Sequence, residues 1–150
     1  MLGAVSITLS LVTACLGDSI GVSSSPTVEE TTFSPSLGVD LTKSVRTANG
    51  AYVRDIAPGT GALINPGDSI TVKYTGWLSD GTQFDTQTSY ATKIGVGHVI
   101  PGWDEGVPGM RVGGTRQLLI PPALGYGVYK YGPIPGNSVL VFNVQVLGNP

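Results

Sequence analysis

The chain has 150 residues with 22 glycines and 11 prolines, a composition that suits one compact domain with an appendage and leaves little room for long helices. A formal net charge of -2 gives no basis for a nucleic-acid partner. One cysteine and one histidine exclude an internal disulfide framework and the usual histidine-based zinc sites, so neither metal nor cofactor is expected.

Residues 1–15 are almost wholly apolar or small and end in Val-Thr-Ala-Cys. This ending resembles the lipobox of bacterial lipoproteins, in which a small residue precedes the cysteine that is acylated. The run falls short of the roughly 20 residues that cross a bilayer core, but it suits the apolar region of a signal peptide. The expectation is an exported protein, lipidated at Cys15 and held on the periplasmic or extracytoplasmic face of a membrane by that anchor alone. The alternative is an apolar N-terminal strand with Cys15 buried as a small hydrophobe. Residues 16–42 are rich in Ser and Thr, contain Pro26 and Pro35 and show no sustained period, which predicts a flexible tether. A globular domain is expected over 43–148.

Within that domain, Ser44–Asp55 predicts two short edge strands, and Pro58, Gly59, Gly61, Pro66 and Gly67 mark turns. From Ser69 to Leu78 the chain alternates, with Ile70, Val72 and Tyr74 on one face and Thr71, Lys73 and Thr75 on the other, the period of a half-buried strand. Asp80-Gly81 predicts a hairpin turn with the return strand starting at Gln83. One short helix is predicted after Pro101, with Trp103, Val107 and Met110 on one face and Pro108 limiting it to little more than two turns. Arg116–Ile120 predicts a strand ended by Pro121 and Pro122. Val139–Leu147 predicts the last, with Leu140, Phe142, Val144 and Val146 facing in. Periodicity alone therefore gives an antiparallel sheet plus a short helix.

Four motifs carry chemistry: Tyr74 in VKYTG, Phe84 and Asp85 in DGTQFDT, the stretch VIPGWDEGV from Val99 to Val107, and Tyr126 in LGYG. In this order and spacing they resemble the proline-binding pocket of the FKBP family of peptidyl-prolyl cis-trans isomerases, which also receive the macrolides tacrolimus and rapamycin. The resemblance runs from near Val45 to Leu147. It implies an α+β fold, a strongly twisted antiparallel half-barrel wrapped around one short helix. It also implies that Trp103 floors an apolar pocket, that Tyr74, Phe84 and Phe142 wall it, and that Val99 and Ile100 line its side. The Ile100 N–H and the Tyr126 hydroxyl would hold substrate carbonyls, with Asp85 at the rim beside Tyr74. Tyr90 would stand at the pocket edge and Ile134 in the flap over the site. The segment from Asp85 to Tyr90 is short and carries no Arg to pair with Asp85, so macrolide affinity is left open.

Each residue also has a plainer reading: Phe142, Val99 and Trp103 as core, Asp85 as a turn cap, Tyr126 as a loop anchor. Their joint order favours the pocket. His98 has no acidic neighbour in sequence and reads as an exposed loop residue. The glycines at 95, 97, 113 and 114 are not followed by the Lys-Ser/Thr of a phosphate loop. Neither G-x-S-x-G nor H-E-x-x-H occurs, which leaves hydrolases without support. The expected activity is rotation of X-Pro bonds in exported polypeptides by a monomer. The competing reading is a non-catalytic module or chaperone that holds X-Pro or apolar segments, although the stretch from Gly125 to Asn137 has no room for an inserted domain.

Overall fold

The computed structural model describes residues 24–150. Cys15 and the lipobox-like segment lie outside the described residues. Six strands, β1 (Val45–Arg46), β2 (Tyr52–Ala57), β3 (Ser69–Leu78), β4 (Gln83–Lys93), β5 (Thr115–Ile120) and β6 (Leu140–Gly148), form one sheet in the order β1-β2-β5-β6-β3-β4. Every neighbouring pair is antiparallel. The sheet is open, with β1 and β4 at its edges, and one short helix, α1 (Pro101–Gly106), packs on its inner face. This is the α+β architecture that the resemblance implies.

The strand period of β3 and β6 is realised as read. Ile70, Val72, Tyr74, Leu140, Phe142, Val144 and Val146 are buried in one core with Trp103 and Leu118. The β3–β4 hairpin closes through Leu78 N–H donating to Thr82 O at 2.8 Å, with Gly81 at φ 93°. Two register shifts then bend β4: one between Val72 and Tyr74 of its partner, one between Gly76 and Trp77. β2 differs from expectation, because it lies inside the sheet between β1 and β5, so of these two strands β1 alone is at an edge.

The helix is shorter than its apolar spacing suggests. It ends at Gly106, fewer than two turns after Pro101, and Val107 and Met110 are buried in the turn that follows. Its first residue, Pro101, costs nothing there because the first N–H groups of a helix have no intrahelical partner. Two glycines set how closely the helix approaches the sheet. A Cβ on Gly102 would stand 2.6 Å from Ile120 Cγ2, and one on Gly106 would stand 2.8 Å from Leu118 Cδ2. Placed four residues apart, they form a flat stripe that rests on β5 and leaves Trp103 directed into the core.

Residues 24–42, the described part of the predicted tether, pack against the sheet's outer face. Val28 and Leu37 are buried there with Leu119, Val139 and Val141, flanked by Phe33, Tyr52 and Trp77. Short 3₁₀ turns at Pro35–Leu37 and Leu41–Lys43 shape the segment. Gln117 Nε2 donates to Leu37 O and an Arg54 guanidinium N–H to Gly38 O, both at 2.9 Å, and Ser34 N–H donates to Ser79 O at 2.8 Å. The physical reason is that Leu119, Val139 and Val141 are apolar at positions that a one-sided sheet would turn to water. They require a cover, and this segment supplies it.

Candidate functional site

The inner face of the sheet opens into a cavity of about 490 Å³ beside α1. Trp103 reaches it from α1, Tyr74 from β3, Phe142 from β6, and Asp85 and Tyr90 from β4. The loop before the helix contributes Val99 and Ile100, and the loop between β5 and β6 contributes Tyr126. The rings meet edge to face. Tyr74 and Trp103 have centroids 5.0 Å apart at 90°, Trp103 and Phe142 5.4 Å apart at 90°, and Tyr74 and Tyr90 5.8 Å apart at 81°. Pairs of this kind add about 0.5–1.5 kcal/mol beyond the area they bury and hold one another in place. The walls are thus rigid before any ligand arrives.

Gly76 makes this packing possible. It lies opposite both Asp85 and Phe142 in the sheet, and a Cβ there would come within 2.7 Å of the Phe84 and Phe142 rings. Without that side chain, the two rings close to 5.5 Å at 89°. Phe84 therefore braces Phe142, a ring of the cavity wall. Ile134 is 3 % exposed and packs in the same core as Trp103 and Phe142.

Polar groups share the lining with the rings, among them Asp85, His98 and the tyrosine hydroxyls. Tyr74 Oη donates to Asp85 Oδ2 at 2.6 Å. Burial, then this hydrogen bond and the charge of Asp85, push the Tyr74 phenol well above its ordinary pKa, so it remains a neutral donor at physiological pH. Ile100 is the N-cap of α1, and its N–H is one of the donors that a helix start leaves without an intrahelical partner. The loop carrying it is held by Asp104, whose two carboxylate oxygens accept from Gly95 N–H at 2.7 Å and Gly97 N–H at 2.8 Å. Trp103 Nε1 is buried without a hydrogen-bond partner among the described residues. No group of three or more His, Cys, Asp or Glu that could hold a metal occurs among the described residues.

Of the expected site residues, Tyr74, Asp85, Tyr90, Val99, Ile100, Trp103, Tyr126 and Phe142 line one cavity. Sequence reasoning missed three others. Gly97 and His98 form part of the mouth, with His98 exposed as a loop residue, and Tyr131 stacks on Tyr126. The signal for Tyr131 lay in the aromatic density of the YGVYKYG stretch, where Tyr126, Tyr129 and Tyr131 recur within six residues.

The family model for the FKBP-type peptidyl-prolyl cis-trans isomerase matches residues 61–147. An FK506-binding protein of Neisseria meningitidis serogroup B is 44% identical over 103 residues, a match covering 65% of this chain and 94% of the relative. FK506-binding protein 1A of Aspergillus fumigatus is 47% identical over 98 residues, covering 61% of this chain and 88% of the relative. Among solved structures, the crystal structure of AtFKBP13 superposes with a TM-score of 0.67 at 34% identity, over 71% of this chain and 98% of that one.

Proposed function

The chain belongs to the family of FKBP-type peptidyl-prolyl cis-trans isomerases, and from that membership we propose that its aromatic cavity drives the rotation without forming or breaking a bond. Resonance sets a barrier of about 18–20 kcal/mol to turning the amide. The planar amide is the more polar form, because resonance separates charge between oxygen and nitrogen, and the twisted form loses that separation. A cavity walled by Trp103, Tyr74, Phe142 and Tyr90 solvates the planar form poorly. It thereby favours the twisted one, and only interactions stronger in the transition state accelerate the step. The pyrrolidine ring rests on Trp103, while the Ile100 N–H and the Tyr126 hydroxyl hold the flanking carbonyls. Asp85 fixes the Tyr74 ring through its phenol. The observation that carries this reading is the set of perpendicular rings, Tyr74 on Trp103 and Trp103 on Phe142, closing on one cavity.

Tyr74→Phe and Asp85→Ala each remove the Tyr74–Asp85 hydrogen bond and keep the ring. A net hydrogen bond is worth about 1 kcal/mol, so kcat/KM on an X-Pro peptide is expected to fall about two- to tenfold in each, with only a small change in melting temperature. Magnetisation exchange between the cis and trans peptide signals measures it. Wild-type rates in both variants would remove this pair from the mechanism.

The substrates proposed are X-Pro segments of exported polypeptides, and a macrolide of the tacrolimus or rapamycin type would compete for the same cavity. The names of the curated relatives support that competition. The chain is proposed to act as a monomer. Export rests on the Val-Thr-Ala-Cys motif: Cys15 is acylated and the domain is displayed beyond the cytoplasmic membrane, held stably by a two-chain anchor. In cell fractionation the wild type is expected with the membranes and Cys15→Ser in the soluble phase. Identical soluble partitioning of both would refute the anchor.

A further inference from the structure

The loop between β5 and β6 leaves Tyr131 61 % exposed, yet this ring lies against the cavity. Its backbone is fixed. The Tyr131 N–H donates to Ile134 O and the Ile134 N–H donates to Tyr131 O, both at 2.9 Å, and Ile134 is rooted in the core. Between them, Gly132 at φ 54° is followed by Pro133, whose ring fixes a negative φ, a sequence of angles that suits a tight two-residue turn. This turn presents the Tyr131 ring to the face of Tyr126, with centroids 4.5 Å apart and planes 9° from parallel.

Tyr126 needs such a neighbour. Its backbone is secured on the C-terminal side, where Gly127 N–H donates to Pro122 O and Asn137 N–H donates to Gly127 O, both at 2.9 Å. The ring itself turns about two torsions, and alternative staggered wells would swing the hydroxyl away from the cavity. We propose that Tyr131 is a positioning residue for the isomerisation, its ring holding the Tyr126 hydroxyl toward the substrate carbonyl. This inference rests on the role given above to that hydroxyl. Burial, and next to it Tyr131, raise the Tyr126 phenol above its ordinary pKa, which keeps it a hydrogen-bond donor.

The test is a double-mutant cycle read as kcat/KM on an uncharged X-Pro peptide. Tyr131→Ala is expected to lose about three- to tenfold, the size of one aromatic stack. Tyr131→Phe, which keeps the ring, should stay within about twofold of wild type. In a Tyr126→Phe background, Tyr131→Ala should add no further loss. Wild-type activity in Tyr131→Ala, or an equal loss in Tyr131→Phe, would overturn the inference. So would an undiminished effect of Tyr131→Ala in the Tyr126→Phe background, which would mean that Tyr131 acts on the substrate by itself while the Tyr126 role stands. Wild-type activity in Tyr126→Phe alone would instead remove the hydroxyl from the mechanism, and this inference with it.

Discussion

Trp103→Ala is expected to have the largest effect of any single substitution, lowering stability by about 3–5 kcal/mol and kcat/KM by about tenfold or more. Trp103 is 4 % exposed and is the ring on which both Tyr74 and Phe142 stand edge-on. Removing it deletes a large buried surface and leaves a void that the rigid sheet closes only in part. The catalytic loss has a separate cause. Water entering the void solvates the planar amide and erases the penalty on the ground state, and the neighbouring rings lose their shared support. Chemical denaturation reports the first effect. Rates measured well below the melting temperature, where the variant is folded, report the second. A variant with reduced stability but an undiminished rate would remove Trp103 from the chemistry.

Leu37→Ala separates the outer face from the cavity. Leu37 is 9 % exposed against Leu119, Val139 and Val141, and its carbonyl accepts from the buried Gln117 side chain. Truncation of a buried leucine costs about 2–5 kcal/mol, and this site lies near the lower end because it is close to the surface and can collapse. For a domain of this size, that is a fall of order ten degrees in melting temperature. Because the sheet stands between Leu37 and the cavity, kcat/KM should be unchanged. A melting temperature equal to wild type would mean that residues 24–42 contribute no cover and behave as the predicted tether.

What was legible in the sequence follows from where local pattern and tertiary demand coincide. β3 and β6 were readable because each buries one face in the main core, so Ile70, Val72 and Tyr74, or Phe142, Val144 and Val146, recur with the strand's period of two. The Asp80-Gly81 turn announced itself by chemistry alone. Most of the lining was readable from separated motifs whose joint order a plain core does not require. The outer cover was not, since Val28 and Leu37 are isolated apolar residues in irregular chain and their partners are contributed by strands far along the sequence. Helix length was misjudged for a related reason: Val107 and Met110 keep helical spacing but are buried by a turn that passes over the same core. The closeness of the Phe84 and Phe142 rings could not be read from the sequence, because it depends on the missing side chain of Gly76 on the strand between them. Tyr131 has no periodic signal. It reaches Tyr126 only through the Gly132-Pro133 turn.

The central claim is that the bond rotates through shape and desolvation, with no proton transferred. Tyr74 and Tyr126 both have their phenols raised above the ordinary value near 10, so each stays neutral from about pH 6 to 9. His98 is an exposed residue at the mouth and is given no role. The most direct measurement is the pH profile of kcat/KM for an uncharged X-Pro peptide, taken in light and heavy water with wild type and His98→Ala. The account predicts a nearly flat profile across that window, a solvent isotope effect close to unity and superimposable curves for the two proteins. A bell with an inflection near the ordinary histidine pKa of about 6.5 that disappears in His98→Ala, or an isotope effect well above about two, would contradict it.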